Sequence, residues 1–241
     1  MNCSITKTSL RNFLRLVPAA VAAAIFLSAS PDLQAQENSY LAPGQPDFVA
    51  LLAPPPAPGS AEETADLNSV RSVVKTRSPQ DINTAKRDED LSYQIFGDAI
   101  GPDFHVENLP KTLALLKKVK KTVAEPLDAA KEHWKRLRPY QLDKTISITK
   151  PEPSFGYPSG HSTHGTVNAL VLAELFPEKR DAIMDIGRKL GWDRVILGKH
   201  YPTDIYAGRV FAQAIVREMM KNPQFVQDLA AAKAEIAASK H

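Results

Sequence analysis

The chain has 241 residues, enough for one sizeable hydrophobic core, and 30 Lys and Arg nearly balance 27 Asp and Glu. A formal charge of +3 excludes the strong basicity of a nucleic-acid or anionic-membrane binder. The single cysteine, Cys3, excludes an internal disulfide.

Residues 1–35 read as a secretory signal peptide. Lys7, Arg11 and Arg15 lead into the apolar stretch Val17 to Ala29, and small residues end at Ala35. The apolar stretch is too short and alanine-rich to span a bilayer comfortably. Its removal takes away three cations, Asp32 and Cys3, which lowers the formal charge from +3 to +1. The expected mature protein is therefore periplasmic, without a thiol nucleophile, a membrane span, or the charge for a nucleic-acid partner.

Residues 36–62 form a proline-rich arm containing "APPPAPGS". Such a stretch favours extended polyproline backbone. The apolar residues of "PDFVALLAPPP" suit an arm lying along a surface better than a free tether.

Residues 63–241 read as a single helical domain. Ser78 is an N-cap with Pro79 and Asp81 behind it, and Leu91, Ile95 and Phe96 recur at helical spacing. "LPKTLALLKKVKKTV" predicts the next helix, and Pro126 starts another that runs through His133 and Trp134 and stops before Pro139. Gly160 to Phe176 is apolar on most sides and predicts a buried helix. Helices over 178–191, 202–221 and 223–239 follow, the last with Asn222 as its cap. "KTISITK" is the one stretch that suggests a strand. The expected fold class is all-α, a single-domain helical bundle.

Three polar clusters interrupt this pattern. "FGYPSGHSTHG" places Pro158, Ser159, Gly160 and His161 where a helix begins. It serves either as turn punctuation or as an anion site, since the first N–H groups of a helix lack partners. Lys131 and Arg138 lie seven residues apart, two helical turns, hence on nearly one face if the helix runs that far. Alone they equally suit a helix C-terminus, where cations offset the dipole. In "DRVILGKHYPTD", His200 stands at the mouth of a helix and Asp204 one turn inside. A carboxylate there can accept the Nδ1 proton and leave Nε2 free, although such pairs also occur as surface contacts.

Together, Lys131-x6-Arg138-Pro139, Pro158-Ser159-Gly160-His161 and Arg194-x5-His200-x3-Asp204 resemble the signature of the type 2 phosphatidic acid phosphatase and vanadium haloperoxidase superfamily, K-x6-RP, PSGH and SR-x5-H-x3-D. The proline-rich arm and the "NPQFVQDLAAAKAE" tail look like the class A bacterial non-specific acid phosphatases. The resemblance implies a helical bundle of that superfamily. It implies a broad-specificity acid phosphatase for small phosphate monoesters, with no metal or other cofactor, and soluble members that associate as homo-oligomers. It assigns His200 as nucleophile forming a phosphohistidine, His161 as general acid and base, and Asp204 as the group orienting His200. Lys131, Arg138, Arg194, Ser159 and Gly160 would bind phosphate; guanidinium forks and helix N–H groups suit its oxygens. One position departs, since Asp193 stands where the family has serine; a carboxylate beside Arg194 would weaken phosphate affinity or move the pH optimum. His164 reads as a pocket-wall histidine, the rival being a zinc ligand with His161. His105 and His133 read as structural. A vanadate-dependent haloperoxidase and a non-catalytic periplasmic phosphate binder are the alternative functions.

Overall fold

The computed structural model describes residue 1, residues 39–148 and residues 150–239. The expected signal peptide lies outside the described residues, apart from Met1. In chain order the α-helices are α1 (Phe48–Leu51), α2 (Ala61–Thr76), α3 (Pro79–Arg87), α4 (Gly97–Ile100), α5 (Pro110–Trp134), α6 (Pro139–Leu142), α7 (Gly160–Leu175), α8 (Arg180–Ile196), α9 (Pro202–Met219) and α10 (Pro223–Ser239), with short 3₁₀ turns between some of them. No strand occurs among the described residues, and residues 144–148, in the stretch "KTISITK", are turns and irregular backbone. The fold is an all-α bundle.

Helix α7 lies at its centre because it is apolar nearly all round: Val167, Ala169, Val171, Leu172 and Ala173 are buried. Helices α8 and α9 pack along it. Glycines make the close crossings. A Cβ on Gly187 of α8 would lie 2.6 Å from the Ala169 Cβ, and one on Gly208 of α9 would lie 2.8 Å from the Ser159 carbonyl oxygen. Those crossings bring the first turns of α7 and α9 together, joined by Ser159 N–H to the Asp204 carbonyl (3.0 Å) and Ser162 Oγ to the Ile205 carbonyl (2.7 Å). Burial of core residues such as Leu116, Leu172, Ile183 and Phe211 contributes roughly 1.5–3 kcal/mol for each side chain.

Where one break was expected at Pro126, α5 runs unbroken through it. Proline removes one backbone donor. The continuous buried face of Val119, Val123, Leu127 and Ala130 nevertheless holds both halves on one axis. Helix α5 lacks an N-cap side chain of its own. Glu235 of α10 takes that role, accepting from Lys111 N–H at 2.9 Å and Thr112 N–H at 2.8 Å. The opposite deviation occurs after α3. The Ser78 capping box is present, yet the helix stops at Arg87 instead of carrying on to Phe96. A 3₁₀ turn over Asp88–Asp90 and a left-handed Leu91 (φ 49°) break it, so that Asp88 and Glu89 face α8.

The arm does lie on the domain. Tyr40 is 2% exposed; its N–H donates to Thr122 Oγ1 (3.0 Å), its hydroxyl donates to Asp228 (2.6 Å), and its carbonyl accepts from Asn222 (3.0 Å). Leu52 is buried, and Tyr157 donates to the Ala53 carbonyl at 2.5 Å. Phe48–Leu51 coils into a turn of helix, capped by Asp47. Helix α2 then starts at Ala61, just inside the expected arm.

Candidate active site

The first turns of α7 and α9 meet the C-terminal halves of α5 and α8, and Lys131, Arg138, Ser159, Gly160, His161, Arg194, His200 and Asp204 converge there. Ser159 caps α7, its hydroxyl accepting from Ser162 N–H at 3.4 Å. Gly160 follows with no side chain; a Cβ there would stand 3.6 Å from the Lys131 ammonium. The backbone entrance of α7 thus faces a cation directly.

Lys131 and Arg138 do not share a helix face. Helix α5 ends at Trp134, a left-handed Lys135 turns the chain, and Arg138 precedes α6. They meet at Ser154 instead, whose hydroxyl accepts from Lys131 Nζ at 3.1 Å and from Arg138 Nη2 at 3.3 Å. Arg138 also donates to the carbonyls of Ser154 (2.8 Å), Phe155 (3.2 Å) and Lys199 (3.0 Å). Burial, with Arg138 nearby, pulls the Lys131 ammonium down to about 8.

His200 is 2% exposed and its orientation is fixed from both sides. Its Nδ1 faces Asp204 Oδ2 at 3.0 Å, and its Nε2 faces Arg138 Nη1 at 2.9 Å. A guanidinium can only donate, so Nε2 carries the lone pair and Nδ1 the proton. Burial and the cations Arg138, Lys131 and Arg194 hold the imidazole neutral, well below its ordinary value. Asp204 is itself held by Tyr201 N–H (3.0 Å) and by Arg136 Nη1 (2.5 Å). Burial pushes its carboxyl up to about 6 against the pull of Arg136. Arg136 reaches on to Asp66 at 2.7 Å and lies with its guanidinium 4.0 Å over the Tyr201 ring.

His161 lies one residue inside α7, and its Nε2 is 2.9 Å from the Glu89 carbonyl, to which it donates. Burial, then Arg194, pulls its imidazole down to about 3, so it is neutral in the empty site. His164, one turn on, is pulled down to about 4 by burial, Lys120 and Lys131. Among the described residues no three His, Cys, Asp or Glu side chains gather where a metal could sit.

Arg194 belongs to α8, which runs several residues past the expected 191 and carries it into the ring. It is 1% exposed and pairs with Glu89 Oε1 (2.8 Å) and Glu152 Oε1 (2.5 Å). A further cation, Lys199, contacts the same two oxygens at 2.5 Å and 3.1 Å. Asp193 faces the other way. It pairs with Lys189 (2.8 Å), which also pairs with Asp88, and burial, with the Asp88 carboxyl nearby, pushes Asp193 up to about 6 against the pull of Lys189. The carboxylates that pair with Arg194 are therefore Glu89 and Glu152.

Residues 119–227 match the profile of the PAP2 superfamily. A non-specific acid phosphatase from Providencia stuartii is 32% identical over 224 residues, 89% of each chain. The chain belongs to the PAP2 superfamily, among its bacterial non-specific acid phosphatases. An acid phosphatase from Zymomonas mobilis is 28% identical over 232 residues, covering 92% of this chain and 88% of its own. The fold is shared with a solved transmembrane PAP2 type phosphatidylglycerolphosphate phosphatase from Bacillus subtilis, at a TM-score of 0.52 and 22% identity, over 72% of this chain and 89% of that one. Among the described residues no helix is long and apolar enough to cross a membrane.

Sequence reasoning missed five residues that pair within this cluster: Asp66, Glu89, Arg136, Glu152 and Lys199. Two carried a local signal, since Arg136 precedes Arg138 by two in "KRLRP" and Lys199 adjoins His200. The others arrive from distant segments.

Proposed function

We propose that this acid phosphatase is exported and hydrolyses small phosphate monoesters of broad range through a phosphohistidine on His200, without a metal. The observation that carries the proposal is the tautomer of His200: an unprotonated Nε2 directed into a ring of cations. The phosphoryl group would sit at the entrance of α7 against Ser159, Gly160 and the His161 N–H, with Lys131, Arg138 and Arg194 around its oxygens. Nε2 would attack phosphorus, forming P–N as P–O breaks. Asp204 would stabilise the positive charge that then develops on the ring.

His161 would give its proton to the departing alcohol oxygen, then take one from the water that cleaves P–N. It is neutral in the empty site, and the substrate dianion supplies the opposite charge that favours protonation. Substrate and proton would therefore arrive together.

The two histidines separate by rapid quench with a labelled ester. His200→Ala should form no acid-labile phosphoenzyme from any ester. His161→Ala should lose about 10²–10⁴-fold in the first step with an alkyl phosphate, and much less with a nitrophenyl ester, whose leaving group needs no proton. Phosphoenzyme in His200→Ala together with none in His161→Ala would reverse the roles. Activity lost in EDTA and restored by zinc would refute metal independence. N-terminal sequencing of the exported protein should begin near Gln36.

A further inference from the structure

The cations of the anion site are already occupied. Glu89 Oε1 bridges Arg194 and Lys199, and Glu152 Oε1 bridges the same pair. Two oxygens, each shared by one guanidinium and one ammonium, reproduce what two oxygens of a phosphoryl group would make. The cations are 1% and 3% exposed at the side chain, and the carboxylates 27% and 26%. The carboxylates thus form the outer layer, between the cations and solvent. An incoming phosphate must take their place on Arg194 and Lys199.

Displaced, neither carboxylate can go far. The Glu89 backbone is held by His161 through its carbonyl, and on its other side by Asp88, which is buried in pairs with Arg87 and Lys189. Glu152 N–H donates to the Tyr140 hydroxyl at 3.0 Å, and two residues on Ser154 is gripped by Lys131 and Arg138. Only side-chain rotation is open to them, so both charges stay at the mouth of the site, where the alcohol half of the ester emerges. While they pair with these cations, burial pushes both carboxyls up, but the hydrogen bonds from Lys199 and the charge of Arg194 outweigh it and leave them below the usual range.

We propose that Glu89 and Glu152 are specificity-determining residues: they hold the anion seat on Arg194 and Lys199, yield it to the phosphoryl group, and then favour esters whose alcohol carries a positive charge over those whose alcohol carries a second anion. This rests on the phosphomonoesterase reading of the same site. It also runs against the bare cation ring, since four cations without the two carboxylates would attract an anionic alcohol instead.

The test uses three phosphate esters of similar size on the full chain: O-phosphoethanolamine, propyl phosphate and phosphoglycolate. The wild type should prefer the amine to the carboxylate by roughly tenfold to a hundredfold in kcat/KM, with the neutral ester between; this is the scale of unit charges near a protein surface. In Glu89→Gln/Glu152→Gln the ratio should fall at least fivefold, and inorganic phosphate should inhibit more tightly because its seat is vacant. The ratio is taken within one protein, so a loss of folded fraction cancels. A wild-type ratio of one or below overturns the proposal without any variant, as does an unchanged ratio in the double variant. If none of the three esters nor a nitrophenyl ester is hydrolysed, it is the phosphomonoesterase reading that fails, and the carboxylate proposal with it.

Discussion

Replacing Arg136 by methionine would test how the nucleophile is held. Arg136 touches no substrate in this geometry; it bridges Asp204 and Asp66, with side-chain exposures of 4%, 0% and 4%. At contact distance and an effective dielectric of about 20, each ion pair is worth roughly 4 kcal/mol. Removing one partner of a buried pair costs about 3–5 kcal/mol, because the other charge is left uncompensated. For a domain of this size that lowers Tm by roughly 6–20 °C. The deficit should depend on pH, and its sign follows from Asp204. Burial raises its folded carboxyl to about 6 with Arg136 present, and without Arg136 it rises further. A carboxyl raised on folding stabilises the fold fully below its unfolded value, and that stability is lost as pH rises towards the folded value. Thermal melts of Arg136→Met should therefore lie closer to wild type near pH 4 than near pH 7. The acid limb of kcat/KM should move to higher pH as well, since His200 loses its acceptor once Asp204 is protonated. A variant with an unshifted acid limb and a deficit equal at both pH values would refute the account of Arg136 as the counter-charge of Asp204.

Lys131, pulled down to about 8, should lose its charge as pH rises through that value. We expect kcat/KM to fall above about pH 8 in the wild type and this limb to vanish in Lys131→Arg, whose charge persists. His161 should titrate near 3 in the empty enzyme and at least about a unit higher with phosphate bound, read by imidazole NMR; an unmoved value would remove it as proton donor. Gly208→Ala sets a Cβ 2.8 Å from the Ser159 carbonyl oxygen and from Ser162 Cβ. It should cost about 1–3 kcal/mol by denaturant melts and reduce kcat by separating the first turns of α7 and α9; a neutral result would mean that the crossing yields without strain.

What the sequence disclosed was local. His200 and Asp204 are one turn apart, and the Ser159 cap acts three residues ahead, so short spacing fixed both contacts. Residues 223–239 were legible for the same reason, with Asn222 Oδ1 accepting from Gln224 N–H. Lys131 and Arg138 were paired correctly for the wrong reason: a loop from Lys135 and the hydroxyl of Ser154, not a common helix face, brings them together. The hidden parts are long-range. Arg136 meets Asp66 across 70 residues, and Arg194 meets Glu89 across 105. No spacing rule anticipates such pairs. Pro126 misled because burial on both sides of a proline can outweigh the donor it removes.

The docking of Tyr40 ties the two ends of the domain together. Its partners are Thr122, Asn222 and Asp228, the last 188 residues away. The clasp therefore cannot close until both ends of the domain are in place. The helix that completes the clasp is also the one whose Glu235 caps α5, the rod carrying Lys131 at its other end. The arm and the rod are thus both tied to α10, and removing that helix from Pro223 onward would release the Tyr40 hydroxyl and the cap of α5 together.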